Sequence, residues 1–182
     1  SLNLDSYLDE NENGEDNNLN KTDLLNFDII NFDVQLENLL LFKNKYSGII
    51  FKNNYKNNIF TIDQLDILDF GGGELNVTGE INYKNKDAIY DILVGLDHKD
   101  FSKVHHIFNL PKVLESFIVD EGSLKISSSG SFGKLKSQMQ FQNLNSKINY
   151  SGLVELDNYL ISGFKGNLEI STNNLNDIID IN

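Results

Sequence analysis

The sequence predicts a mostly-β chain: an antiparallel meander of about nine strands curled into a half-open trough (a β-groove), with short helical caps between repeats. Three observations predict it. Apolar and polar residues alternate with a period of two over most of the chain after Phe27, as strands with one buried and one solvated face do. The connections between these stretches are too short for parallel crossovers except at one place, so neighbours pair as hairpins. A motif also returns three times where an alternating stretch ends or would end, as Leu2-Asn3-Leu4-Asp5-Ser6-Tyr7-Leu8, Leu96-Asp97-His98-Lys99-Asp100-Phe101-Ser102-Lys103-Val104 and Thr172-Asn173-Asn174-Leu175-Asn176-Asp177-Ile178-Ile179. In each copy an Asp or Asn able to cap a helix precedes apolar residues at helical spacing.

The elements follow in order. Residues 9–20 carry five carboxylates and almost nothing to bury, the composition of a disordered linker or exposed loop. Alternation runs from Phe27 to Leu36 with one slip at Ile29-Ile30, which reads as a β-bulge. Tyr46 to Lys52 and Asn58 to Leu68 are the next strands, separated by an Asn53-to-Asn57 turn. Glu74 to Tyr83 alternates without a fault after Gly71-Gly72-Gly73, and Ala88 to Leu96 follows it. A cap from Asp97 to Phe108 then interrupts the pattern. Phe117–Ser127, Phe132–Phe141, Lys147–Leu156 and Leu160–Ser171 complete the strands, with turns at Ser128–Ser131, Gln142–Ser146 and Asp157-Asn158. Asn174 to Ile179 closes the chain as a cap. The organisation is therefore 1–22 as the end of a preceding repeat plus linker, 23–108 as a first β-repeat with its cap, and 109–182 as a second.

Composition excludes several classes. The formal net charge is -12, every basic residue is Lys and no basic stripe interrupts the acidity, so nucleic acid is not an expected partner. Cysteine is absent, which removes disulfides, thiolate metal sites and a cysteine nucleophile together. Abundant Asn, Ile and Lys, with Arg and Trp missing, is the signature of an AT-rich genome, and the Asn-rich sequons carry no weight. The longest apolar run, Leu39 to Phe42, falls far short of the roughly 20 residues that span a bilayer.

The strands pose a burial problem. Each offers one apolar face, and two short caps cannot cover the whole. The sheet must fold on itself, close as a barrel, or remain a trough whose apolar face is occupied, because exposed apolar area forfeits about 25 cal/mol per Å².

At this point the residues carry a resemblance. The Leu2-to-Leu8 motif, the acidic linker, the Asp-rich alternation of Leu25 to Leu36 and the Phe70-Gly-Gly-Gly-Glu-Leu75 corner with its following strand resemble the C-terminal region of the AsmA family. The downstream Leu-Asp cap, Gly122-Ser-Leu124 and Gly166-Asn-Leu168 are similar to the next repeat. The resemblance implies a curled β-sheet in the periplasm of a diderm bacterium, held at the inner membrane by a segment outside this chain. Its groove would bind the acyl chains of phospholipid or another lipid in transport toward the outer membrane, in the manner of AsmA-like and TamB-like bridge-like proteins. The groove candidates are Phe32, Val34, Leu36, Leu75, Val77, Ile81, Tyr83, Leu124, Ile126, Ile148, Val154, Leu168 and Ile170, supplying dispersion contacts without directional chemistry.

Other chemistry is thin. His98, His105 and His106 near the second cap read as solvated cap histidines rather than metal ligands. Gly71-Gly72-Gly73 lacks the Lys-Ser/Thr of a phosphate loop and reads as a tight corner. The pairs Asp63/Asp66, Asp28/Asp33 and Asp120/Glu121 lie in turns or on polar faces with no His or Ser beside them. Neither an enzyme nor a cofactor is expected. The alternative reading is a β-sandwich or β-solenoid adhesion or scaffold domain with no lipid ligand.

Overall fold

The structure, a computed structural model, describes residues 2–3, 29–41, 44–84, 87–103, 118–131, 133–157 and 160–173. The acidic linker, the cap at 174–179, His105, His106 and the end of the second cap lie outside the described residues. Among the described residues ten strands form one sheet in chain order: β1 (Leu2–Asn3), β2 (Ile29–Leu41), β3 (Asn44–Lys56), β4 (Ile59–Asp69), β5 (Gly73–Asn82), β6 (Ile89–His98), β7 (Gly122–Ser131), β8 (Lys134–Asn143), β9 (Ser146–Asp157) and β10 (Leu160–Thr172). From β2 to β10 every neighbour pair is antiparallel. β10 does not return to pair with β1 or β2, so the meander curls as an open trough rather than a barrel. The sheet is continuous across the cap, because β6 and β7 pair from Ile89↔Ser131 to His98↔Gly122.

Several expectations are corrected. Leu2 and Asn3, at the start of the first Leu-Asp motif, are strand, pairing parallel to Leu39 and Leu40 of β2, and the rest of that motif lies outside the described residues. Asn53 to Lys56 belong to β3, and the hairpin to β4 has two residues, Asn57 and Asn58, both left-handed at φ 53° and 61°. Two consecutive positive φ values match the twist of the flanking strands, and Asn tolerates them. Ser128 to Ser131 are strand as well, paired on both sides, and the turn falls beyond them. The β2–β3 register is unbroken from Ile29 onward, so the slip at Ile29-Ile30 is no bulge. Bulges lie instead in β10, at Ser162 between Ile161↔Leu156 and Gly163↔Glu155, and in β4, where Ile62 faces Gly79 but Leu65 faces Val77 and Gln64 pairs with Lys52, leaving Asp63 as the extra residue. The β4 bulge keeps both Ile62 and Leu65 on the apolar face despite their odd spacing.

Among the described residues the second cap keeps one 3-10 turn, Phe101–Lys103. Asp100 caps it, accepting from the Ser102 amide at 3.2 Å and from its hydroxyl, with Lys103 at 3.5 Å. Hydrogen bonding from Ser102 and the Lys103 charge hold the Asp100 carboxyl below its usual range. Phe101 drops from this turn onto the sheet, edge-on to Phe141 at 5.0 Å. Its amide is held by Asp120 O at 2.9 Å. Ile118 joins it, and the core unites residues from β3 to β9 in a single cluster. Each fully buried side chain of this size contributes about 1.5–3 kcal/mol.

Candidate functional site

The inner face is built from transverse rows, which the register brings into line across all nine meander strands. The first row runs Leu36, Ile49, Ile67, Leu75, Leu96, Leu124, Phe141, Ile148, Ile170; the second runs Val34, Phe51, Leu65, Val77, Val94, Ile126, Met139, Tyr150, Leu168. No polar residue interrupts either, apart from the Tyr150 hydroxyl, which donates to Leu153 O at 2.7 Å. The third row is smaller and more polar, passing through Phe32, Asn53, Ile62, Gly79, Ile92, Ser128, Ser137, Gly152 and Gly166. The fourth returns to bulky groups, including Tyr55, Phe60, Ile81, Tyr90, Leu135, Val154 and Phe164.

The two ends of the trough differ. At the first row Leu124, Phe141 and Ile148 are 0% exposed, sealed in one cluster with Phe101 and Ile118. At the third and fourth rows and one step beyond them, a cavity of about 270 Å³ opens between Tyr90, Ile92, Ser128, Leu135 and Leu156, the last standing two residues past Val154 on β9. Ser128 is the one hydroxyl-bearing small residue there, and its Oγ lies 2.7 Å from Ser137 Oγ. Beyond the fourth row Tyr83 stands near Tyr90 and Tyr55. Burial, then the Tyr90 and Tyr55 hydroxyls, raise the Tyr83 phenol above its ordinary value.

Every proposed groove residue except Tyr83 therefore lies on one of these rows. Leu36, Leu75, Leu124, Ile148 and Ile170 share the first, Val34, Val77, Ile126 and Leu168 the second, Phe32 the third, and Ile81 and Val154 the fourth. Tyr83 follows β5, its amide donating to Asn58 O at 2.8 Å. Phe32 and Leu168 are 53% and 44% exposed because they stand on the two outermost meander strands. The cavity-lining Tyr90, Ile92, Leu135 and Leu156 were not singled out from sequence, although their alternation places them on the same face. Asn53, which composition alone puts in a turn, is 4% exposed on the inner face, and its Oδ1 is buried without a partner.

His98 is not a solvated cap residue. It is 3% exposed, and both ring nitrogens are engaged. Nδ1 accepts from the Asp100 amide at 2.9 Å, which leaves the Nε2 proton to donate to Gly71 O at 3.1 Å. The glycine corner is thereby tied to the end of β6. Gly73 permits this approach, since a Cβ there would sit 2.4 Å from Asp97 O and 2.5 Å from the His98 ring. The outer face carries a second, polar cleft of about 840 Å³ along this corner, with Glu74, Asp97, Lys125 and Gln142 among its walls. Of the carboxylate pairs, Asp63 and Asp66 are separated by the bulge: Asp63 is the extra residue, and Asp66 pairs with Ile50 and Asn76 while accepting from Gln64. Among the described residues no helix is long and apolar enough to cross a membrane.

No protein-family model, curated protein or solved structure matches this chain.

Proposed function

We propose that this chain is an AsmA-like β-trough of the bacterial envelope that holds the acyl chains of phospholipid, with the third and fourth rows as the binding region. One observation carries the reading: a cavity walled by Tyr90, Ile92, Leu135 and Leu156, on the apolar face of a sheet that stays open along its edges. Its volume, about 270 Å³, lies just below the roughly 300–1,000 Å³ of whole small-molecule clefts. It suits a stretch of one acyl tail and leaves the headgroup outside. The tyrosine hydroxyls beyond the fourth row are the polar boundary that such an amphiphile needs. The sealed first row is then the floor that keeps the trough rigid, and Leu124 and Ile148 serve there as core. In this reading the chain works in the periplasm, joined to the inner membrane through a segment outside it, and acts by binding, with no reaction.

Leu135→Trp tests it. The indole fills the cavity from a half-buried position, so the variant keeps its thermal transition while binding of a fluorescent fatty acid falls by at least about tenfold, a loss of 1.4 kcal/mol. Mass spectrometry of the wild-type protein purified from bacterial membranes should detect phospholipid. Lipid-free preparations that also ignore the probe would sink the reading in favour of a scaffold whose apolar rows serve only as core.

A further inference from the structure

β10 is the one long strand with no neighbour on its far side among the described residues. Its segment from Phe164 to Glu169 is exposed at every position, with Phe164 and Leu168 standing uncovered where two rows end. An edge of this length presents a line of free amides and carbonyls to any strand able to match it. Proline, a run of charges and a bulge are the usual guards; β10 has no proline and no run of charges, and its bulge at Ser162 lies before Phe164, so the segment from Phe164 onward keeps an unbroken register.

The residues of this edge are complementary to themselves. Phe164, Gly166, Leu168 and Ile170 face inward, and Lys165, Asn167 and Glu169 face outward. Place two copies of β10 antiparallel about Asn167: Lys165 then lies opposite Glu169 of the second copy, and Glu169 opposite its Lys165. On the inner face Phe164 meets Ile170, and Gly166 leaves room for Leu168. In a chain of net charge -12, this segment balances one positive against one negative charge, in the order that a two-fold axis requires. We infer that β10 is an isologous docking edge whose partner is a second copy of this chain, joined by antiparallel pairing centred on Asn167. The two troughs then share one continuous sheet, with their apolar rows meeting at the seam. This is independent of what the trough holds.

Charge reversal and cross-linking test the register. The wild type should show a concentration-dependent dimer in sedimentation equilibrium. Lys165→Glu, which sets like charges opposite each other twice, should weaken it by about tenfold. Glu169→Lys should do the same, and the Lys165→Glu/Glu169→Lys double variant should restore it, which a loss of fold could not do. Because the chain has no cysteine, Asn167→Cys offers a second measurement. Directly opposed residues place their Cα atoms about 4.5–5.5 Å apart, within disulfide reach, so mild oxidation should trap the dimer. Lys165→Cys alone should not cross-link. A wild type that stays monomeric overturns the inference. So does a dimer that the charge variants leave unchanged, or one trapped at Lys165→Cys in preference to Asn167→Cys.

Discussion

Asn53 shows how one residue can oppose the packing around it. Its amide stands on the apolar face between Phe32 and Ile62, with Oδ1 buried and unpaired. A buried acceptor without a donor costs about 1–3 kcal/mol. Asn53→Leu, similar in size and without that cost, should therefore stabilise the protein by about 1–2 kcal/mol, read as a raised urea midpoint at unchanged slope. Tyr83 supplies a pH dependence. Its phenol is held above the ordinary value by burial and by Tyr90 and Tyr55, so the folded state retains the proton after the unfolded state has released it. The associated stability is complete below the unfolded value of 10.0 and is lost as pH rises through the higher folded one. Tyr83→Phe should flatten the alkaline loss of stability, and the wild-type absorbance titration should contain a late-ionising tyrosine missing from the variant.

The strands were legible in the sequence because their alternation is nearly free of error, as Glu74 to Asn82 illustrates. Their ends were less so. Asn-rich and Ser-rich stretches read as turns by composition, yet Asn53, Asn54 and Ser128 to Ser131 find pairing partners on both sides, and cross-strand hydrogen bonds outweigh local preference. The β3–β4 hairpin shows what the chain does use: two left-handed asparagines in sequence. Glycine adopts that conformation without the cost of a Cβ. Asn58→Gly should accordingly preserve the hairpin and shift the thermal midpoint upward by at most a few degrees, whereas Asn58→Val should lower it. The alternation does not reveal the bulge at Asp63 and suggests one at Ile29-Ile30 that the register lacks, since two adjacent isoleucines and a displaced alternation look alike until the partner strand is known.

For the whole molecule, the sequence revealed an apolar face larger than its caps could cover, and the sheet indeed curls without closing. It did not reveal that the face divides into a sealed end and a hollow one. That difference depends on which residues line up across strands, and register is set by turns and bulges whose positions were shifted. Ile148 and Val77 were equivalent in alternation; in the fold Ile148 is fully enclosed and Val77 remains half-buried. The candidate site was thus recognisable as a face and misread in its depth, with Tyr90, Leu135 and Leu156 emerging only when the rows were aligned.

Among the described residues every meander strand pairs solely with its neighbours in the chain, and this order has a bearing on assembly in time. Hairpins that close short loops can add one after another like the teeth of a zip, each at a small entropic cost. The exception is the join between β6 and β7, where the chain must return from Lys99 through Glu121 before the next strand is in reach. That return also delivers Phe101 and Ile118 to the first row. The step that makes one sheet of two halves is therefore the same step that seals its floor, and it is the natural bottleneck of folding.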